Sequence, residues 1–272
     1  MKLYFKKITI FTLLLALIVC IMPFSVAKAK QEDRFCGYGS TLSTQSTTTE
    51  IINFTNRIPT THQTVNGVPK YNQISDLQNA CGAIAGAMVI GFYDKYYEEL
   101  IPDFKTYVGS GTYRGRDSVH IPNLMRELYT LMRTNVDDVG VSETDCLNGL
   151  QTYVSGKGRS LSYTNVRYIN RINETTYTTA MQNNHPVLLF CSKMDLYSIS
   201  LGDSQDKIIC TTYTGGHVAV GYGITIMNYY NGNTIFRTDK YINVATGLGI
   251  STGYLKIEST DWCNGAYEVI IN

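Results

Sequence analysis

With 23 basic and 22 acidic side chains in 272 residues, the chain carries a formal net charge of only +1. That is too little to build the basic surface that nucleic-acid binding requires. Its hydrophobic share of 44% supports one sizeable core or two small ones, and its low charged share of 17% suits an extracellular protein.

The N-terminus reads as a secretory signal peptide over residues 1–29. Lys2, Lys6 and Lys7 precede an apolar run over 8–22, and Ala27-Lys28-Ala29 supplies a small-x-small cleavage site. The run is shorter than the roughly 20 residues of a membrane span. A secreted product with no stable membrane association after cleavage is therefore expected. Cys20 follows Val19, a poor residue before a lipidated cysteine, so no lipoprotein is expected. Cleavage removes Lys2, Lys6, Lys7 and Lys28 and no acid, leaving 19 basic against 22 acidic side chains.

Six cysteines then remain: Cys36, Cys81, Cys146, Cys191, Cys210 and Cys263. None forms a C-x-x-C pair, and no His-Glu-x-x-His run occurs, so neither a metal nor another cofactor is expected. Export permits disulfides. If Cys81 serves as a nucleophile, an odd number is left over, and at least one more thiol stays unpaired or pairs between chains.

Residues 30–66 are polar and rich in Ser and Thr. They are expected to be a linker or short pro-segment, partly disordered and either removed or mobile. The globular domain is expected over 67–272. Its first helix, over 81–97, is apolar nearly all round, as befits an internal helix, with Asn79 as its cap. Residues 109–115 are glycine-rich but lack the lysine of a phosphate loop, and read as a surface loop. A second helix follows His120-Ile121-Pro122, with Leu124, Leu128 and Leu131 on one face. A third covers about 143–155, and a weaker fourth about 174–184. Pro186 then opens a strand over 187–191. The last third reads as strands over 208–213, 217–222, 224–230, 234–246, 253–257 and 267–271, with a hairpin turn at Asn231-Gly232-Asn233. Helices first and strands second make the class α+β.

A nucleophilic cysteine belongs at a helix N-terminus, where the dipole favours the thiolate, with a histidine brought from elsewhere. Cys81 opens the apolar helix in Gln78-Asn79-Ala80-Cys81-Gly82, and Gly82 leaves room for a substrate backbone. Of the four histidines, His62 lies in the Ser/Thr-rich segment, His120 precedes a helix and His185 precedes a proline. His217 sits between glycines and an apolar strand in Gly215-Gly216-His217-Val218-Ala219-Val220-Gly221-Tyr222 and fits the base. A third group should hold the imidazole. Asp239, Tyr241 and Asn243 share one strand face, so parity does not choose among them. Asn243 is preferred because its neighbours are apolar, whereas Asp239 lies near Arg237 and Lys240 and reads as a solvated charge. Gln73, eight residues before Cys81, can return its amide beside the thiol as an oxyanion donor, with the Cys81 backbone N–H as the second.

Tyr-Asn-Gln at 71–73, Asn-Ala-Cys-Gly at 79–82 and Gly-His-Val-Ala-Val-Gly-Tyr at 216–222 resemble the papain-like cysteine peptidases, nearest the bacterial bacteriocin-leader-processing branch and its secreted relatives. His217 lies 136 residues beyond Cys81, within the roughly 130–150 of papain-type enzymes. The resemblance implies a helical N-terminal half packed on an antiparallel β-sheet C-terminal half, with the active site between them. It implies Cys81 as nucleophile, His217 as acid/base, Asn243 as orienting group and Gln73 as oxyanion donor, acting on a peptide or protein substrate. The papain Cys-Gly-x-Cys-Trp run is absent, and Asn243-Val244 stands where the bacteriocin-processing branch often has Asp-Pro. A same-triad acyltransferase or amidase, and a non-catalytic secreted binding domain, are the alternatives.

Overall fold

The computed structural model describes residues 34–35, 43–104, 107–108, 112–113, 119–136, 140–250, 253–260 and 262–272. The expected signal peptide lies outside these residues, as does most of the glycine-rich 109–115 segment.

Four helices are present among the described residues. They are α1 (Cys81–Tyr93), α2 (His120–Leu131), α3 (Glu143–Gly156) and α4 (Glu174–Gln182). Every residue of α1 is buried, which is why its sequence shows no polar face. It packs against α2 and α3 on one side and the sheet on the other. Helix α2 instead buries one stripe, Ile121, Leu124, Met125 and Leu128. Two helices have side-chain caps: Ser142 Oγ accepts from Asp145 N–H at 3.0 Å, and Asn173 Oδ1 accepts from the N–H groups of Thr175 and Thr176.

The strands are β1 (Arg34–Phe35), β2 (Ser43–Asn53), β3 (Asn56–Thr64), β4 (Tyr107–Val108), β5 (Thr112–Tyr113), β6 (Val141–Ser142), β7 (Leu161–Asn165), β8 (Arg167–Tyr168), β9 (Arg171–Ile172), β10 (Val187–Ser200), β11 (Gln205–Asn231), β12 (Thr234–Ala245), β13 (Gly253–Lys256) and β14 (Cys263–Ile271). The main sheet is antiparallel and runs β2-β11-β12-β13-β10-β14-β7, with β3 also on β11. Pairings β10–β11, β11–β12, β12–β13 and β13–β10 close on themselves. The α+β class is as expected, with α1 to α3 preceding the long central strands.

Strand β11 runs unbroken for 27 residues where the sequence suggested three pieces. The glycines that suggested breaks mark bulges. Between the pairs Cys191↔His217 and Lys193↔Thr214, β11 carries one extra residue, and Gly215 there has φ of 99°, which its missing Cβ permits. A second extra residue, Tyr222, separates the pairs of Gly221 and Gly223 with β12. The hairpin turn is where it was expected, with Asn231 opposite Thr234.

The expectation of a partly disordered linker over 30–66 is corrected for 43–64. Strand β2 pairs with the first half of β11 and β3 with the second half. Ile52 and Phe54 enter a small core with Ile208, Met227, Tyr229 and Tyr241, and Arg57 forms an ion pair with the fully buried Asp206. The run of threonines is a set of β-branched strand residues on a largely exposed edge. It therefore lacked the apolar period that would have marked it as structured.

Candidate functional site

Cys81 is the first residue of α1. Ala80 occupies the cap position, and no side chain caps this helix end. The expectation of Asn79 as cap is corrected: Asn79 has φ of 53°, and its Nδ2 donates to Asn135 Oδ1 at 2.5 Å. Asparagine tolerates this left-handed backbone better than most residues. Its side chain thereby ties the turn before Cys81 to the loop after α2.

Gly82 has a different role from the one its sequence suggested. A Cβ there would stand 2.8 Å from Val141 Cγ1 and 3.4 Å from Cys146 Sγ. Its bareness makes room for β6 and α3, not for a substrate. That close packing fixes the start of α1 in the core.

The sheet supplies the other half of the site. Val218 N–H in β11 donates to Cys81 Sγ at 3.2 Å. Beside it, His217 is 3% exposed, and its Nε2 lies 2.7 Å from the carbonyl oxygen of Thr246. A carbonyl only accepts, so Nε2 carries the hydrogen. In the neutral ring Nδ1 then holds a lone pair. Burial depresses the His217 pKa to about 4, with the Thr246 carbonyl working in the opposite direction.

Asn243 is not the group that holds His217. Its Oδ1 accepts from Thr225 Oγ1 at 2.9 Å. The sheet register explains this: Asn243 pairs with Gly223, six residues along β11 from His217, or roughly 15–20 Å of strand. Thr246 follows Ala245, which pairs with Val220, so its carbonyl is much nearer the ring. Asp239 is not solvated either. It is 7% exposed, accepts both contacts from Arg237 Nε at 3.0 Å, and accepts from the Tyr241 hydroxyl at 3.1 Å.

Gln73 joins the site through its backbone. Its N–H donates to Gly247 O at 3.2 Å, the residue after the one that holds His217. Its side-chain Nε2 donates to Leu77 O at 3.0 Å, and the amide group has a second N–H. Gly247 lies against α1, since a Cβ on it would stand 3.0 Å from Ile84 Cγ2. The start of α1, the His217–Val218 pair, the 246–247 turn and Gln73 therefore form one contact network. The groups that sequence reasoning missed, the Val218 N–H and the Thr246 carbonyl, are main-chain atoms with no residue signature. Gly247, with φ of 74°, is the signal that a turn exposes the Thr246 carbonyl.

No family model, no curated protein and no solved structure matches this chain. Among the described residues no cluster of three or more His, Cys, Asp or Glu side chains could hold a metal ion, and no helix is long and apolar enough to cross a membrane.

The cysteines differ in state. Cys81 is disulfide-bonded, whereas Cys146, Cys191, Cys210 and Cys263 are free thiols. Burial pushes the Cys146 and Cys263 thiols up to about 12, and Cys191 well above its ordinary value. Those thiols are inert at neutral pH. Of the described cysteines, only Cys81 opens a helix, and its sulfur accepts from the backbone N–H of the residue after His217.

Proposed function

We propose that the reduced form of this chain is a secreted cysteine peptidase with a papain-like division of labour between its helical part and its sheet. The Cys81 sulfur at the start of α1, bonded by the strand residue next to His217, is the observation that carries this reading.

In this mechanism His217 takes the Cys81 proton at Nδ1, and the helix end favours the resulting thiolate. The sulfur attacks the substrate carbonyl carbon. Negative charge develops on the carbonyl oxygen, where the Cys81 N–H and the second N–H of the Gln73 amide donate. As the tetrahedral adduct collapses, His217 gives its proton to the leaving amine and the C–N bond breaks. Water, deprotonated by His217, then attacks the thioester carbon and releases the carboxylic acid with Cys81 regenerated. Throughout, the Thr246 carbonyl holds the Nε2–H side of the ring, the task expected of an asparagine side chain.

Hydrolysis of unfolded casein by the mature, reduced chain tests this. Cys81→Ala and His217→Ala should each lower the rate by about a thousandfold or more while the circular dichroism spectrum stays that of the native chain. An undiminished rate in Cys81→Ala rejects the mechanism.

A further inference from the structure

Two buried thiols stand opposite each other in the sheet. Cys191 in β10 pairs with Cys263 in β14. Both are free thiols, 0% and 2% exposed. A bulge sets this register. Phe190 pairs with Gly265, and β14 carries Asn264 as an extra residue before Cys263 meets Cys191. Paired one for one, the strands would put Asn264 opposite Cys191 and turn Cys263 to the other face.

The backbone identifies the kind of pair. Ser192 N–H donates to Trp262 O at 2.8 Å, so Cys191 and Cys263 are a non-hydrogen-bonded antiparallel pair. That type brings Cα atoms to about 4.5 Å and the side chains closest. A disulfide spans Cα separations of about 4.4–6.8 Å. The sulfurs also lean the same way. Cys191 Sγ donates to Leu189 O at 4.0 Å and Cys263 Sγ to Gly265 O at 3.4 Å, and in antiparallel strands these carbonyls lie at one end of the pair. On its other side Cys191 pairs with His217.

We propose that Cys191 and Cys263 are a site of cross-strand disulfide formation, closed by exchange with a disulfide donor while the chain folds. The dithiol in the structure is the form reached without a donor. One cysteine thiolate attacks a donor sulfur, a mixed disulfide forms, and the donor's other sulfur leaves as a thiolate. The second cysteine thiolate attacks the protein sulfur of the mixed disulfide, and the remaining donor sulfur leaves. Two electrons pass from the protein to the donor, whose thiolates take up the two protons. Burial dictates the timing. Once β14 seats on β10, no donor reaches either sulfur, so a folded chain keeps the form in which it folded. The bond fastens β14 to the strand that pairs with His217. A secreted chain would fold where such donors act.

The test starts from the full chain, reduced in denaturant. One portion is refolded with oxidised glutathione as donor. Another is refolded with reduced glutathione alone and receives the donor only after folding. Remaining thiols are blocked with iodoacetamide in denaturant, and the chain is cut with trypsin. Cleavage after Arg171, Lys193 and Lys256 isolates residues 172–193 and 257–272, each holding one cysteine. A linked pair of these peptides is expected, at least about tenfold more abundant when the donor is present during folding. Both cysteines recovered as blocked thiols from the first portion, or linked to other cysteines, overturns the site. Equal linkage in the two portions overturns the proposed timing.

Discussion

Val218 donates its backbone N–H to Cys81 Sγ from 137 residues further along the chain, so the sheet and the first helix meet at the sulfur itself. His217, one residue before Val218, is fixed there by β11 and by the carbonyl of Thr246. This junction makes specific demands on pH, packing and reactivity.

Acid should weaken the fold through His217. Its pKa is depressed to about 4 in the folded chain, below the ordinary value near 6.5. Between those values the unfolded chain binds the proton and the folded chain does not. The contribution of the neutral ring is therefore fully present above about pH 6.5 and is lost as pH falls through about 4. The loss is of the order of 2–4 kcal/mol. Urea midpoints of the unreduced protein at pH 7.5, 5.5 and 4.5 should decline steeply, and His217→Asn should flatten the decline. An unchanged slope in the variant would assign acid sensitivity to other groups.

Asn243→Ala separates a structural asparagine from one that orients the histidine. The change leaves the buried Thr225 hydroxyl without its acceptor, at a cost of about 1–3 kcal/mol. After reduction, Cys81 should still react with iodoacetamide within about twofold of the wild-type rate. A loss as large as that in His217→Ala would return Asn243 to the site.

Legibility in the sequence followed where the chemistry resides. The helix starts at Cys81, His120 and Glu143 were readable because apolar stripes and turn residues mark them. Cys81 and His217 stood out because few residue types do nucleophile and base chemistry, and the structure brings the Cys81 sulfur to the backbone of the residue after His217. Asn243 failed because it pairs with Gly223, six residues along β11 from His217, and strand parity carries no information on such cross-strand register. Strands β2 and β3 failed because their threonines carry strand propensity without an apolar period. The Thr246 carbonyl, the Val218 N–H and the disulfide at Cys81 are matters of spatial proximity, which no single residue type announces.

Gly82→Ala probes whether packing fixes the start of α1. The added methyl would meet Val141 Cγ1 at 2.8 Å, and overpacking of this kind costs about 1–3 kcal/mol. A lower urea midpoint is expected, with the Cys81 alkylation rate of the reduced protein also reduced, because the sulfur moves with the helix start. An unaltered midpoint would show that β6 yields freely.

Cys146, Cys191 and Cys263 should stay silent toward iodoacetamide at pH 7 in the folded chain, before and after mild reduction. All three are buried with raised pKa values. Peptide mapping should find them modified only in denaturant. Rapid modification of any of them in the native protein would contradict the packing of α3, β10 or β14 around them.

The most direct measurement is the pH profile of Cys81 alkylation in the reduced protein, with and without His217. An imidazole acting on the sulfur predicts fast modification well below the ordinary thiol pKa near 8.5, and a His217→Ala profile that falls back to that value. Superimposable profiles would mean that the ring does not act on the sulfur.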